Sequence, residues 1–312
     1  MALSIAAALA AVLPVPIPSA LWARTRVTLT YFWRHGRLPR INTPVRFTEW
    51  VQWRKLRDRD HSLAMMTDKL FAKTCAIETI GQDHVIPTLW QGDTLPRQAP
   101  WPRPFIVKAN HGCNQYVVVR NDADWHTALR RAPRWLQKPY GGWLDEWHYT
   151  HARRVLLVEP FVGTVDGLPV DYKVYVFGGI AQCVQMHIGR GTDHRWAQFD
   201  RQWQRLSSNR VEGCFDRPVT LSGMLAAAEA FAGQRDFLRV DFYEVEGVML
   251  FGEACLFPGS GLDPFSPDSL DFELGQHWRR SSTPLTAGAD AARTRPKMLK
   301  RRHPKPLADV RP

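Results

Sequence analysis

Apolar residues in the first third of the chain recur every three to four positions. Phe47-Thr-Glu-Trp-Val-Gln-Trp-Arg-Lys-Leu56 and Thr67-Asp-Lys-Leu-Phe-Ala-Lys-Thr-Cys-Ala-Ile-Glu-Thr-Ile80 keep this spacing, which stacks the apolar side chains on one helical face. Residues 24–100 therefore read as mostly helical, with Thr48 and Thr67 as N-caps and Gly81 as a stop. The Pro-rich stretch from Pro96 to Pro104 reads as a linker. Beyond it the pattern shortens to strands: Phe105–Ala109 and Tyr116–Arg120 as a pair, a helix near Trp125–Leu136, then Val155–Glu159. Asp171–Ile188 reads as a hairpin turning at Gly178-Gly179, and a helix follows at Leu221–Gly233. A second hairpin, Phe237–Cys255, runs into Pro258-Gly-Ser-Gly261. Helices beside antiparallel pairs predict an α+β fold, and no internal repeat is present.

The second hairpin carries Asp241 and Glu253 on its two arms. Carboxylates facing each other across strands repel, so a cation belongs between them. Mg²⁺ takes one or two protein carboxylates and leaves its remaining positions to water and phosphate oxygens. A two-residue Glu246-Gly247 turn in regular register pairs Asp241 with Gly252 and separates the acids. A one-residue bulge or a three-residue loop brings Asp241 opposite Glu253. Two solvent-facing acids on an edge hairpin are the alternative.

A chain of 312 residues, 45% hydrophobic with 13 Trp, is long enough for a buried core and about two domains. Its net charge of +11 is unevenly placed: ten Lys or Arg against two Asp fall between 279 and 312, so eight of those charges belong to the end of the chain. That segment lacks apolar periodicity and reads as a disordered basic tail, able to touch anionic lipid or nucleic acid only as an accessory. Cys75, Cys113, Cys183, Cys214 and Cys255 are odd in number and scattered, which argues for a reducing compartment and against a zinc module. Residues 1–22 carry no charge, but Pro14, Pro16 and Pro18 interrupt the apolar run. A short helix lying on the protein or on a membrane surface fits better than a cleaved signal or a spanning helix.

Read in order, Lys108, His111-Gly112, Glu159, Asp171 with Lys173, Arg190, Asp241 and Glu253 with Pro258-Gly-Ser-Gly261 resemble the motif series of the ATP-grasp superfamily. The narrower resemblance is to the TupA-like ATP-grasp family, named for teichuronopeptide biosynthesis. It rests on Asn42-Thr-Pro-Val-Arg-Phe-Thr-Glu49, Gln52-Trp-Arg-Lys-Leu56, Asp68-Lys69, Val107-Lys-Ala-Asn-His-Gly112, Asp171-Tyr-Lys173 and Phe251-Gly-Glu253, over roughly residues 40–275.

The resemblance implies two α+β subdomains, 101–160 and a metal-binding 161–278, with the nucleotide between them. The apolar segment 1–23 and the helical region 24–100 precede them, and the basic tail 279–312 follows. It also implies ATP and Mg²⁺ as cofactors. Lys108 ends an apolar strand, where its ammonium can meet a phosphate; a snorkelling edge lysine is the alternative. His111 and Gly112 open a loop that closes over the triphosphate in the family, although here the loop keeps one glycine. Glu159 matches the adenine hinge. Pro160 has no N–H, so a donor to the ring must come from Phe161 or Val162. Asp171 and Lys173 share a strand face; the resemblance places the acid near the ribose and points the lysine toward phosphate or acyl phosphate, against a plain ion pair as the alternative. Arg190 is a candidate clamp on that phosphoryl group. Asp241 and Glu253 would be the metal ligands. Cys255 stands where the family supplies an oxygen side chain, and Mg²⁺ prefers oxygen.

The function implied is an ATP- and Mg²⁺-dependent carboxylate–amine ligase working through an acyl phosphate. Lys173 and Arg190 would be its catalytic residues, and a small or saccharide-linked carboxylate and an amine its substrates. Its setting would be cell-surface polysaccharide assembly, in the cytoplasm, with contact to a membrane surface. Two rivals stand beside it: a non-catalytic nucleotide-binding scaffold on the same core, and a basic membrane or nucleic-acid module. The low charge of residues 1–278 and the lack of any nucleic-acid motif argue against nucleic acid. His35, His84, His148, His151 and His187 read as surface or packing residues, and Trp50 and Trp53 as core.

Overall fold

The computed structural model describes residues 19–138, 140–163, 167–208 and 215–282. Its helices are α1 (Ser19–His35), α2 (Phe47–Arg57), α3 (His61–Met65), α4 (Lys69–Ile80), α5 (Asp122–Gln137), α6 (Leu221–Ala232) and α7 (Asp268–Ser282). Its strands are β1 (Trp90–Gly92), β2 (Phe105–Ala109), β3 (Tyr116–Val119), β4 (Leu156–Pro160), β5 (Asp171–Phe177), β6 (Ile180–Ile188), β7 (Arg195–Phe199), β8 (Leu238–Val245) and β9 (Val248–Cys255).

The strands form two antiparallel sheets, one of four strands in the order β1-β4-β2-β3 and one of five in the order β7-β6-β5-β8-β9. The α+β architecture predicted from sequence is thus present. Strand β1 comes from the segment read as helical and pairs with β4, so the smaller sheet takes one strand from upstream of the Pro-rich stretch. Three residues are too short to show an alternation, which is why periodicity missed it.

α5 lays Trp125, Ala128 and Ala132 on Phe105, Val107, Val119 and Val158 of the smaller sheet. α6 lays Met224, Ala228 and Phe231 on the larger one, in a core that also takes Phe47 and Val51 of α2 and Leu270, Leu274 and Trp278 of α7. Because α2 is surrounded, its polar residues are buried too and must be paired. Arg54 donates to Phe237 O (3.0 Å) and lies over the Trp278 ring. The Glu49 carboxylate accepts from the N–H groups of Arg40, Val45 and Arg46 and closes the loop before the helix.

Two predicted caps move. Arg46 holds the N-cap position of α2, and Thr48 instead donates its N–H (2.9 Å) and hydroxyl (2.7 Å) to Asp271 of α7, a tertiary partner that outcompetes local capping. Asp68 caps α4 by accepting from Phe71 N, one residue after Thr67, whose hydroxyl turns back to Ala64 O. Gly81 ends α4 with φ 93°, as expected. Arg279 and Arg280 complete the last turn of α7, so the basic segment begins in a helix. The rest of the expected tail, 283–312, residues 1–18 and Cys214 lie outside the described residues.

Candidate functional site

A cavity of about 600 Å³ is lined from both sheets. One wall takes Ile106 and Lys108 of β2, the turn 112–116 and the segment 160–162. The other takes the charged ends of β5, β8 and β9, and the Pro258–Gly261 loop closes one end.

Alternation places the charges of the larger sheet on one face. Lys173 pairs in register with Asp241, and Asp171 with Tyr243. Asp241 accepts from Arg239 Nε and Nη2 and from Lys173 Nζ, each at 2.7 Å. Lys173 also donates to Asp171 (2.5 Å), and Arg190 Nη1 reaches the same oxygen at 3.0 Å while its Nη2 donates to Pro169 O. Burial works against the Lys173 charge, but Asp171 and Asp241 outweigh it and hold the ammonium well above its ordinary range. The second Asp171 oxygen, Oδ1, is buried without a partner among the described residues.

The bulge that the acid pair requires is present. Glu246 (φ 51°) and Gly247 (φ 75°) make a two-residue turn that pairs Val245 with Val248. The register then shifts after Phe242–Phe251, leaving Gly252 unpaired and setting Asp241 directly opposite Glu253. A Cβ on Gly252 would stand 3.1 Å from the Asp241 carbonyl oxygen and 3.3 Å from the Tyr243 ring, which favours glycine there. Lys69 Nζ lies 3.4 Å from Glu253 and Arg239 Nη2 3.8 Å. Burial and the neighbouring Asp241 would raise the Glu253 carboxyl, but Lys69, Lys173 and Arg239 together outweigh them and the group stays below its ordinary value.

These residues fit a magnesium ion. They offer hard oxygen donors on one face, and carboxylate oxygens keep lone pairs beyond the bonds they already accept. Among the described residues no cluster of three or more His, Cys, Asp or Glu could hold a metal ion. The pair is therefore a half-site that needs oxygens from a bound molecule. Cys255 takes no part: burial pushes its thiol up to about 12, so no thiolate is available.

On the smaller sheet, Lys108 lines the cavity and is braced from below. Glu159 accepts from Lys108 (2.7 Å) and from Lys73 of α4 (2.6 Å). Burial would raise the Glu159 carboxyl, but the two lysines keep it depressed. Glu159 thus sits under the wall and positions Lys108. His111 also departs from expectation: its imidazole is fully buried with Nε2 on Trp135 O (2.9 Å), so it braces the turn from behind. Gly112 does line the cavity, and its carbonyl accepts from Lys69 (2.9 Å). Asn114 adopts φ 58°, the left-handed turn position that a glycine would otherwise fill. Phe161 spends its N–H on Pro104 O (3.2 Å), which leaves Val162 as the donor available to a ligand.

Sequence reasoning missed Lys69, Arg239 and Tyr243 of this cavity. The rule that paired Asp171 with Lys173 would have found Arg239, two residues before Asp241. It also missed the support of the Pro258–Gly261 loop, where Gln52 donates to Ser260 O (2.9 Å) and Gly261 O (3.1 Å) and Lys55 to Ser260 O (2.8 Å) and Oγ (2.6 Å). His187 lines the cavity beside Arg190 rather than only packing, and burial pushes its imidazole down to about 2. His148 is a buried packing residue, as expected.

The TupA-like ATPgrasp family profile matches residues 49–279. No curated protein matches the chain in sequence. Among solved structures it is similar to an ADP complex of N5-carboxyaminoimidazole ribonucleotide synthetase, at 14% identity and TM-score 0.43, over 67% of this chain and 50% of that one. It is similar to an L-amino acid ligase from Bacillus licheniformis at 12% identity and TM-score 0.42, over 78% and 50%. A D-alanine-D-alanine ligase from Helicobacter pylori gives 14% identity and TM-score 0.42, over 72% and 60%. The chain spans about half the length of the first two.

Proposed function

The chain belongs to the TupA-like ATP-grasp family, and from that premise we propose that it is an ATP- and Mg²⁺-dependent carboxylate–amine ligase. The observation that supports this reading best is the opposed pair Asp241 and Glu253, set among Lys69, Lys173 and Arg239 in a cavity that also holds Lys108. The nucleotide would lie between 101–160, extended by β1, and 161–278. The Val162 N–H would serve adenine and Asp171 Oδ1 a ribose hydroxyl. Lys69, Lys108 and the Gly112 turn would meet the phosphates.

In the reaction a substrate carboxylate oxygen attacks the γ-phosphorus and ADP leaves. The amine nitrogen then attacks the acyl carbon, the amide forms, and inorganic phosphate and a proton depart. Asp241 and Glu253 would hold Mg²⁺, which neutralises charge on phosphate oxygens when bound. Lys173, Arg190 and Arg239 would steady the phosphoryl group in flight, since phosphoryl transfer depends on positioning and charge more than on covalent help. The family name supports a saccharide-linked carboxylate and an envelope-building role at the cytoplasmic side.

Thermal shift with Mg-ATP against Mg-GTP and nucleotide-free buffer tests the cofactor, and ADP release on adding a carboxylate and an amine tests the reaction. An ATP-specific shift followed by amine-dependent ADP release that Asp241→Ala abolishes is expected. Absence of any ATP-specific shift would sink the reading; binding without turnover for every acceptor pair would favour a scaffold.

A further inference from the structure

Helix α1 buries one side and leaves the other bare. Val27 and Tyr31 face inward, with the Tyr31 hydroxyl 3.0 Å from Thr48 Oγ1. Leu21, Leu29, Phe32 and Trp33 face outward and are 45–64% exposed, joined by Leu38 at 65%. At 100° per residue the first four fall within an arc of about 120°, a continuous apolar stripe. Thirteen large apolar side chains are exposed among the described residues, and five of them lie between 21 and 38, so this is a patch rather than ordinary scatter.

The α1 segment itself supplies only positive charge, part of it answered by acids from elsewhere: Arg34 lies 3.8 Å from Asp263, and Arg37 and Arg46 lie 3.2 and 3.0 Å from Asp268. Residues 1–48 contain six Arg and no Asp or Glu. Arg24 and Arg57 converge on Asn42 (3.3 and 3.4 Å) and, with Arg40, make no ion pair among the described residues. Arg26, beside the stripe, is paired with Asp145. Leu, Phe and Trp on one face, with Arg24 unpaired on the same helix and Arg40 and Arg57 unpaired on the neighbouring segments, is a composition suited to a helix that lies in the plane of an anionic membrane surface. No described helix is long and apolar enough to cross a membrane.

We propose that the outer face of α1, with Leu21, Leu29, Phe32, Trp33 and Leu38, docks on an anionic lipid surface. Trp33 and Arg34 also line the cavity, together with exposed Trp143, so docking turns the cavity mouth toward the headgroups. The ligase substrate would then be presented at the membrane. That consequence rests on the ligase reading, whereas docking itself needs no nucleotide.

The test is co-sedimentation of the full chain with vesicles of phosphatidylcholine alone and of an equal mixture with phosphatidylglycerol. The double variant Leu29→Asn/Phe32→Asn, which alters no residue lining the cavity, is run beside it, and both are repeated at high salt, where the screening length is about 3 Å. Expected is binding to the anionic vesicles that falls on the order of tenfold in the double variant, with apolar contact leaving residual binding at high salt in the unaltered chain only. The Mg-ATP thermal shift should be the same in both, which keeps failure of docking separate from failure of the ligase reading. Equal binding by the double variant would overturn the proposal and assign attachment to residues 1–18 or the basic 283–312 segment. Absence of binding to anionic vesicles would overturn it as well.

Discussion

Asp241 and Glu253 stand directly opposite each other on β8 and β9 because Gly252 is left unpaired between them. They are not equivalent. Asp241 is buried and already answers two cations, whereas Glu253 is more open and its nearest cation is 3.4 Å away.

Glu253→Gln is therefore the cleaner probe of the metal. It should raise the Mg²⁺ concentration for half-maximal ADP release by more than about tenfold with little change in melting temperature. Asp241→Asn should impair activity and also destabilise the fold by about 3 kcal/mol, because Arg239 and Lys173 lose a buried counter-ion. Denaturant unfolding separates the two variants; equal stability loss would contradict this division of roles.

Glu159 predicts a pH dependence. Its native carboxyl lies below the ordinary value of 4.5, because Lys108 and Lys73 overcome the burial that opposes its charge. The stability it contributes is complete above 4.5 and is lost as pH falls through the native value. Glu159→Gln should cost about 3 kcal/mol at neutral pH, where two lysines lose their partner. The gap from the unaltered chain should close under acid, as followed by urea midpoints across pH. A gap that stayed constant would show that the carboxylate charge does not support Lys108.

The charged ladder was legible because strands impose a period of two: Asp171 and Lys173 could be placed on one face, and Asp241 and Glu253 on one hairpin, without coordinates. The register was not, since a bulge depends on how Gly252 packs against Asp241 and Tyr243. The roles of Glu159 and His111 were hidden for a related reason. A sequence shows that an acid ends a strand, but not that two lysines from different elements reach it from below, or that an imidazole turns to a carbonyl 24 residues away. The Gln52-Trp-Arg-Lys55 motif was visible as a motif, and only the fold shows that it fastens the Pro258–Gly261 loop.

Lys55 predicts a slope of the same sign in the alkaline range. Burial pushes its amine from 10.5 down to about 8, with Glu146 only partly offsetting it. The unfolded chain then binds more protons between those values, so stability should rise with pH from about 8 to 10.5, by about 3 kcal/mol in full. Lys55→Met should flatten that rise and, by releasing Ser260, increase KM for the substrates more than it lowers kcat. Unfolding midpoints at several alkaline pH values check the first claim, and steady-state kinetics check the second.

Val162→Pro tests the hinge. If the Val162 N–H serves adenine, its removal should weaken ATP binding by about tenfold, the worth of one hydrogen bond at the upper end of its range, while Val162→Ala leaves affinity nearly unchanged. Calorimetric titration with Mg-ATP distinguishes them. Equal affinity in both variants would place the donor elsewhere on the wall.

Gly261 joins the loop to α2 at a point with no room for a side chain. It adopts φ 64°, and a Cβ there would lie 2.4 Å from Gln52 Nε2, 2.8 Å from Val51 Cβ and 2.9 Å from Thr48 O. Gln52 can swing away, but the α2 backbone cannot. Gly261→Ala should therefore combine about 1–2 kcal/mol of left-handed strain with about 1–3 kcal/mol of overpacking. At Gly36, where φ is 66° and a Cβ would meet nothing within 4 Å, the same substitution should cost only the strain. Unfolding free energies of the two variants give the comparison. Should Gly36→Ala prove as costly as Gly261→Ala, steric closure between α2 and the loop would contribute nothing, and the loop would owe its position to the Gln52 and Lys55 hydrogen bonds alone.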